Sequence, residues 1–259
     1  MKEVTTILLV LAAIYLLMAA YLYVFQRKLI YYPVAHDADF KAREITVDNQ
    51  GTLLHGWVLN PNRDKALLYF GGNSELLTHR SAYFEDVFNE YSVYLINYRG
   101  YGKSQGSPSE AALFSDALAI HDYLQKQHRS ITAYGRSLGS GVAVYLASQR
   151  SLEKLILLTP YDSIAAVGQR IYPMFPIRYL IRDRFDSASR AADIRIPVMI
   201  ASAELDREIP LAHTLALRER FQQASVFYQQ IAGAAHNDII EFPQYRAVIE
   251  RFIAKPGGF

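Results

Sequence analysis

Residues 131–142 constrain this chain more than any other stretch. Ile131-Thr132-Ala133-Tyr134 reads as a strand, Gly135-Arg136-Ser137-Leu138-Gly139 as a turn of the form G-x-S-x-G, and Ser140-Gly141-Val142 as the start of a small-residue helix. A serine forced into so sharp a strand-to-helix turn needs neighbours without bulk, and Gly135 and Gly139 supply that room. The turn aims the Ser137 hydroxyl above the end of a sheet and sets it at a helix N-terminus, where free backbone N–H groups can stabilise an oxyanion. Ser137 is therefore the candidate nucleophile, and the Leu138 N–H one candidate oxyanion donor.

The pattern alone is weak, because Gly102-Lys103-Ser104-Gln105-Gly106 matches it too. That second match follows Asn97-Tyr98-Arg99-Gly100-Tyr101 and runs into Ser107-Pro108-Ser109, so turn chemistry flanks it and no helix follows Ser104 directly. Its Gly-Lys-Ser also lacks what a phosphate loop needs. Asn97 stands where the earlier glycine belongs, and no helix starts at the lysine.

A serine is a poor nucleophile unless a base takes its proton and an acid orients that base. With an elbow of this type the chain order is serine, acid, histidine. Residues 197–203 read as a buried parallel strand leading into Glu204-Leu205-Asp206-Arg207-Glu208, so Asp206 falls in a loop after a strand. Residues 225–231 are a further apolar stretch that ends in Ala232-Gly233-Ala234-Ala235-His236-Asn237-Asp238, which gives His236 the same setting. Of the other histidines, only His213 also lies downstream of both Ser137 and Asp206, and it falls early in a helix. His236 is thus the candidate base. For the acid, Asp206 leads, with Glu204, Glu208, Asp162 and Asp238 as rivals.

Strand and helix signals alternate along the chain. Residues 66–70 and 92–96 read as strands, 109–127 as a helix, and 155–158 as another strand. Alternation of this kind implies a mostly parallel sheet with helices on both faces, an α/β fold. Residues 43–48 and 53–59 instead suggest an antiparallel hairpin turning at Asn49-Gln50-Gly51.

Residues 4–25 form an apolar run of 22, interrupted only by Thr5 and Thr6. At about 1.5 Å per residue that is about 33 Å of helix, enough for a hydrocarbon core of about 30 Å, and longer than the apolar part of a cleavable signal peptide. A single-pass N-terminal anchor is the reading, with Tyr21, Tyr23, Tyr31 and Tyr32 as an interfacial aromatic belt capped by Arg27 and Lys28. Arg27, Lys28, Lys41 and Arg43 after the run outweigh Lys2 before it and favour a cytoplasmic domain. The absence of cysteine excludes disulfides and thiolate catalysis, the net charge of +2 argues against a nucleic-acid partner, and no H-E-x-x-H spacing suggests a metal.

Taken together, these segments resemble the α/β-hydrolase superfamily, in particular its membrane-anchored Bem46-like and serine-aminopeptidase-like branch. The matching stretches are Phe25-Gln26-Arg27-Lys28-Leu29-Ile30-Tyr31-Tyr32-Pro33, Gly72-Asn73, Asn97-Tyr98-Arg99-Gly100-Tyr101-Gly102-Lys103-Ser104, the Ser137 elbow, the Asp206 to Pro210 loop and His236-Asn237-Asp238. The resemblance implies an anchor over 1–28, a catalytic domain over 29–259, a lid at about 164–190 after the sixth strand, and no cofactor. It also implies Asn73 as the second oxyanion N–H. The branch carries histidine where Gly71 stands here, a departure expected to loosen the oxyanion loop.

The lid interleaves Ile171, Tyr172, Met174, Phe175, Ile177, Tyr179, Leu180 and Ile181 with Arg170, Arg178, Arg182 and Arg184, and Pro173 and Pro176 break any long helix in it. An apolar lid beside a bilayer suits an acyl ester or thioester, carried by a lipid or a lipidated protein. Two other readings stay open. One is a peptidase on the same three residues, with Glu204, Glu208 and Asp162 receiving a substrate amino terminus. The other is a binding or scaffold protein that retains the fold without turnover.

Overall fold

The computed structural model describes residues 1–255. Strands β1 (Arg43–Asn49) and β2 (Thr52–Leu59) form the hairpin expected from the sequence. Its turn residues Gln50 and Gly51 both have left-handed φ, 52° and 84°, the two-residue turn whose twist matches that of the flanking strands.

The remaining strands are β3 (Lys65–Phe70), β4 (Tyr91–Ile96), β5 (Ser130–Arg136), β6 (Lys154–Leu158), β7 (Val198–Ala203) and β8 (Val226–Ile231). Together they make one sheet in the order β1-β2-β4-β3-β5-β6-β7-β8, antiparallel as far as β4 and parallel from β4 to β8. Successive residues of a parallel strand feed opposite cores, which is why β3 is apolar from Ala66 to Phe70 rather than alternating. Ala66, Leu68 and Phe70 pack on one face with residues of α3 (Glu110–Leu124) and α4 (Leu138–Gln149). Leu67 and Tyr69 pack on the other with α2 (Ser81–Val87) and α9 (Pro243–Ala254). Ser109 caps α3 by accepting from the Ala112 N–H at 3.2 Å.

The topology itself makes the crevice. The chain steps from β3 outward to β4 and then crosses back to β5, so the loops leaving the carboxyl ends of β3 and β5 diverge at a switch point. Ligands of open α/β sheets bind at such points. Between β6 and β7 lies the lid, built from α5 (Ile164–Ile171), α6 (Ile177–Leu180) and α7 (Ser187–Ala191), with Pro173 and Pro176 in the break between the first two. Helix α8 (Leu211–Arg218) joins β7 to β8.

Helix α1 (Lys2–Ile30) is long and apolar enough to cross a membrane, and none of its most apolar window is buried. It continues without a break to Ile30, and its last turns dock on the lid. The Gln26 Oε1 accepts from the Arg182 N–H at 2.6 Å, and its Nε2 donates to the Leu180 carbonyl at 3.2 Å. Further back, the Tyr15 hydroxyl donates to the Met174 carbonyl at 3.0 Å, and its ring stacks on Phe175 at 4.9 Å. Tyr31 does not join an aromatic belt. It is 3 % exposed and donates to the Asp183 Oδ2 at 3.0 Å, because Asp183 is a buried carboxylate that needs donors and takes them from Tyr31 and Arg27.

Candidate active site

Ser137 occupies φ 49°, ψ −119°, a left-handed conformation for a residue with a Cβ, between the end of β5 and the start of α4. The two glycines make the turn possible. A Cβ on Gly135 would lie 2.4 Å from the Gly139 carbonyl oxygen, and one on Gly139 would lie 2.1 Å from that of Phe70. Leu138 follows as the first residue of α4, and the first amides of a helix have no carbonyl partner within it. The strain is local and held by the surrounding sheet, as it is at many reactive residues.

Two further loops converge on this elbow. His236, 4 % exposed, places Nε2 3.0 Å from the Ser137 Oγ and Nδ1 2.8 Å from the Asp206 Oδ2. The other oxygen of Asp206 accepts from the Glu208 and Ile209 N–H groups at 2.9 and 2.8 Å, which fixes the carboxylate plane toward the imidazole. The rivals for the acid position are engaged elsewhere. Asp162 meets His213 Nδ1 at 2.8 Å, Glu204 accepts from the Gly233 N–H at 2.7 Å, and Asp238 accepts from the Ala235 N–H at 2.7 Å. Glu208 alone comes near the imidazole, its exposed Oε2 standing 3.5 Å from Nε2.

Ser104 lies buried in the loop after β4. Its hydroxyl accepts from the His55 N–H and donates to the Asn97 carbonyl, both at 2.9 Å, so it ties a loop to β2.

The loop after β3 brings Asn73 to the same cavity as Ser137 and Leu138. The Asn73 Oδ1 accepts from the Tyr32 N–H at 2.9 Å and from the Tyr101 hydroxyl at 3.1 Å. Burial pushes that phenol up to about 12, so it remains a donor at neutral pH. Gly71 does not leave this loop loose. Tyr98 donates to the Gly71 carbonyl at 2.8 Å, Gly72 donates to the Glu75 Oε2 at 2.6 Å, and a side chain at 71 would meet Leu77 at 2.4 Å. The space a histidine would need is filled by Leu77.

Glu75 and Arg136 are the residues that sequence reasoning missed. Their side chains are buried and paired at 3.0 Å, and Arg136 also donates to the Asn237 Oδ1 at 2.6 Å and the His236 carbonyl at 3.3 Å. One guanidinium therefore braces the Asn73 loop against the His236 loop. Position 136 is the variable residue before the serine of the motif, and a charge at the end of a buried strand was the available signal. Breaking a buried pair by removing one partner costs about 3–5 kcal/mol, because the other charge is stranded. Glu75 keeps Arg80 at 3.6 Å and the Tyr69 hydroxyl at 2.8 Å, so Arg136→Met is expected to lower stability by the lower end of that range, about 3 kcal/mol, read as a lower urea midpoint at unchanged slope.

A cavity of about 330 Å³ opens from Ser137 and is apolar over most of its wall. Leu22 and Ile30 of α1 form one side, and Val167, Ile171, Ile177 and Leu180 of the lid form the other. Chemically, the arrangement can pass a proton from the serine to His236 and hold an apolar group beside the elbow.

An open, mostly parallel sheet with a strained serine elbow after β5 and a lid after β6 defines an α/β-hydrolase fold. The solved structure of the Pyrococcus furiosus esterase Pf2001 superimposes with a TM-score of 0.71 over 88 % of this chain and 99 % of that one, at 17 % identity. In sequence, the chain is 34 % identical over 231 residues to an uncharacterized protein of Mycobacterium tuberculosis, covering 82 % of this chain and 81 % of that protein. It is 30 % identical over 205 residues to alpha/beta hydrolase domain-containing protein 17B of Xenopus tropicalis, covering 76 % and 68 %, and 28 % identical over 272 residues to protein bem46 of Schizosaccharomyces pombe, covering 94 % and 90 %. No protein-family model matches the chain. The chain belongs to the Bem46-like branch of the α/β-hydrolase superfamily.

Proposed function

We propose that this hydrolase is a membrane-anchored serine enzyme that cleaves the ester or thioester bond of acyl substrates through an acyl-serine. The observation that carries this reading is the relay from Ser137 through His236 to Asp206 at the end of an apolar cavity. His236 takes the Ser137 proton as the hydroxyl attacks the acyl carbon, and Asp206 stabilises the imidazolium that results. The Leu138 and Asn73 N–H groups receive the oxyanion, and the leaving alcohol or thiol takes the proton back from His236. His236 then activates water, which releases the acid and restores Ser137. In this reading residues 1–28 are the anchor, 29–259 the catalytic domain on the cytoplasmic side, and 164–190 the lid.

The apolar wall supports an acyl substrate, since each methylene removed from water contributes about 0.8 kcal/mol to binding. The peptidase reading is weaker. It needs several carboxylates at the cavity, and Asp162 and Glu204 are spent on His213 and Gly233 while only Glu208 borders the pocket.

A fluorophosphonate probe applied to membranes carrying the full-length protein tests the nucleophile. Labelling should vanish in Ser137→Ala, fall in His236→Ala and persist in Ser104→Ala. A folded wild-type protein that takes no label would favour the scaffold reading.

A further inference from the structure

The contact between α1 and the lid fixes how deep the lid sits. Tyr21 and Tyr23 close the apolar run at its domain end, and Arg182 lies over the Tyr23 ring at 4.3 Å, an aromatic and cationic pairing suited to the headgroup level. Tyr15 lies six residues before Tyr21. Along a helix that is about 9 Å further into the membrane, and it is there that the Tyr15 hydroxyl and ring hold Met174 and Phe175.

The lid segment at this depth is built for such a place. Residues 171–177, Ile-Tyr-Pro-Met-Phe-Pro-Ile, carry no charge and are flanked by Arg170 and Arg178. Met174 is 78 % exposed and Ile171 60 %. Long arginine side chains on either side can reach back to the interface and its phosphates. The exposed tip meets the exposed face of α1 at the Tyr15–Met174 contact, and α1 is long and apolar enough to cross a membrane, so one bilayer would cover both.

We propose that residues 171–177 penetrate the bilayer leaflet beside α1, and that the cavity takes its acyl chain directly from that leaflet. This rests on the reading of α1 as an anchor and of Ser137 as an acyl-transfer nucleophile. Leu22, Gln26, Leu29 and Ile30 line the cavity along about 12 Å of helix, running from the membrane surface toward Ser137. The anchor is thus one wall of the substrate site. An acyl chain that slides up it exchanges one apolar environment for another and never crosses water, whereas a soluble short ester needs no such route.

The chain has no cysteine, so single-cysteine variants report cleanly. Full-length Met174→Cys, carrying an environment-sensitive fluorophore, is placed in phosphatidylcholine and phosphatidylglycerol vesicles whose acyl chains bear spin labels. Tyr123→Cys is the control, since Tyr123 lies beside Arg63 and Asp64 ahead of β3, away from the carboxyl ends of the strands where Ser137 and the lid sit. The label at 174 is expected to be quenched and the one at 123 not. In parallel, Met174→Glu is expected to lower hydrolysis of a long-chain thioester held in vesicles by on the order of tenfold or more, and to leave a soluble short-chain thioester unaffected.

An unquenched label at 174, in protein that stays with the vesicles, would overturn the proposal. So would an equal loss on both substrates. A wild-type protein that hydrolyses neither substrate would instead defeat the acyl-transfer reading, and the quenching would still decide whether the lid enters the leaflet.

Discussion

Replacing Ser137 by alanine is expected to lower ester turnover by on the order of 10⁶-fold, the loss seen when the serine of such a relay is removed elsewhere. Alanine keeps the Cβ and so keeps the left-handed strain at φ 49°, which isolates the chemistry from the fold. Glycine at the same position separates the two differently. It removes the hydroxyl and also relieves the strain, so Ser137→Gly should be as inactive as alanine but more stable by about 1–3 kcal/mol. Hydrolysis rates and urea midpoints for the two variants check this together. A glycine variant less stable than the alanine variant would show that the elbow is not a site of stored strain.

Asp206→Asn should lower turnover by about 10⁴-fold without unfolding the protein, because it reverses the tautomer of His236. Asp206 Oδ1 accepts from two backbone N–H groups while Oδ2 faces the His236 Nδ1. An asparagine in that position must keep its carbonyl oxygen toward the two amides and turn its NH₂ toward the imidazole. The His236 Nδ1 then accepts rather than donates, and its proton moves to Nε2, where it faces Ser137 instead of receiving from it. Ester hydrolysis measured against pH is the check. A loss of less than about tenfold would show that Asp206 does not set the tautomer. Glu208, whose Oε2 is 3.5 Å from Nε2, would then be the carboxylate to replace next.

Much of this site was readable in one dimension because its signals are short-range. A glycine pair around a serine records the steric demand of a single turn, and Asp206 and His236 each follow a strand that can be read from its own residues. The hairpin was legible for the same reason, since Gln50-Gly51 carries the φ values its turn requires. Helices α2 and α9 were not read, and neither was the fate of Tyr31, which an aromatic-rich segment suggested for the interface and which Asp183 draws into the core.

The sequence by itself determined the class of fold, the glycine-flanked turn at Ser137, the places of Asp206 and His236 after later strands, and an apolar segment long enough to span a bilayer. Each follows from hydrophobic period or from backbone sterics, which depend on residues close in the chain. Only the tertiary structure decided which carboxylate faces which histidine, Asp206 with His236 and Asp162 with His213. Only it joined Arg136 to Glu75 and Asn237, and Tyr15 to Met174 across 159 positions. Periodicity reports that a side chain is buried or exposed. It carries no information about which partner, brought from far along the chain, satisfies the polar group that burial leaves behind.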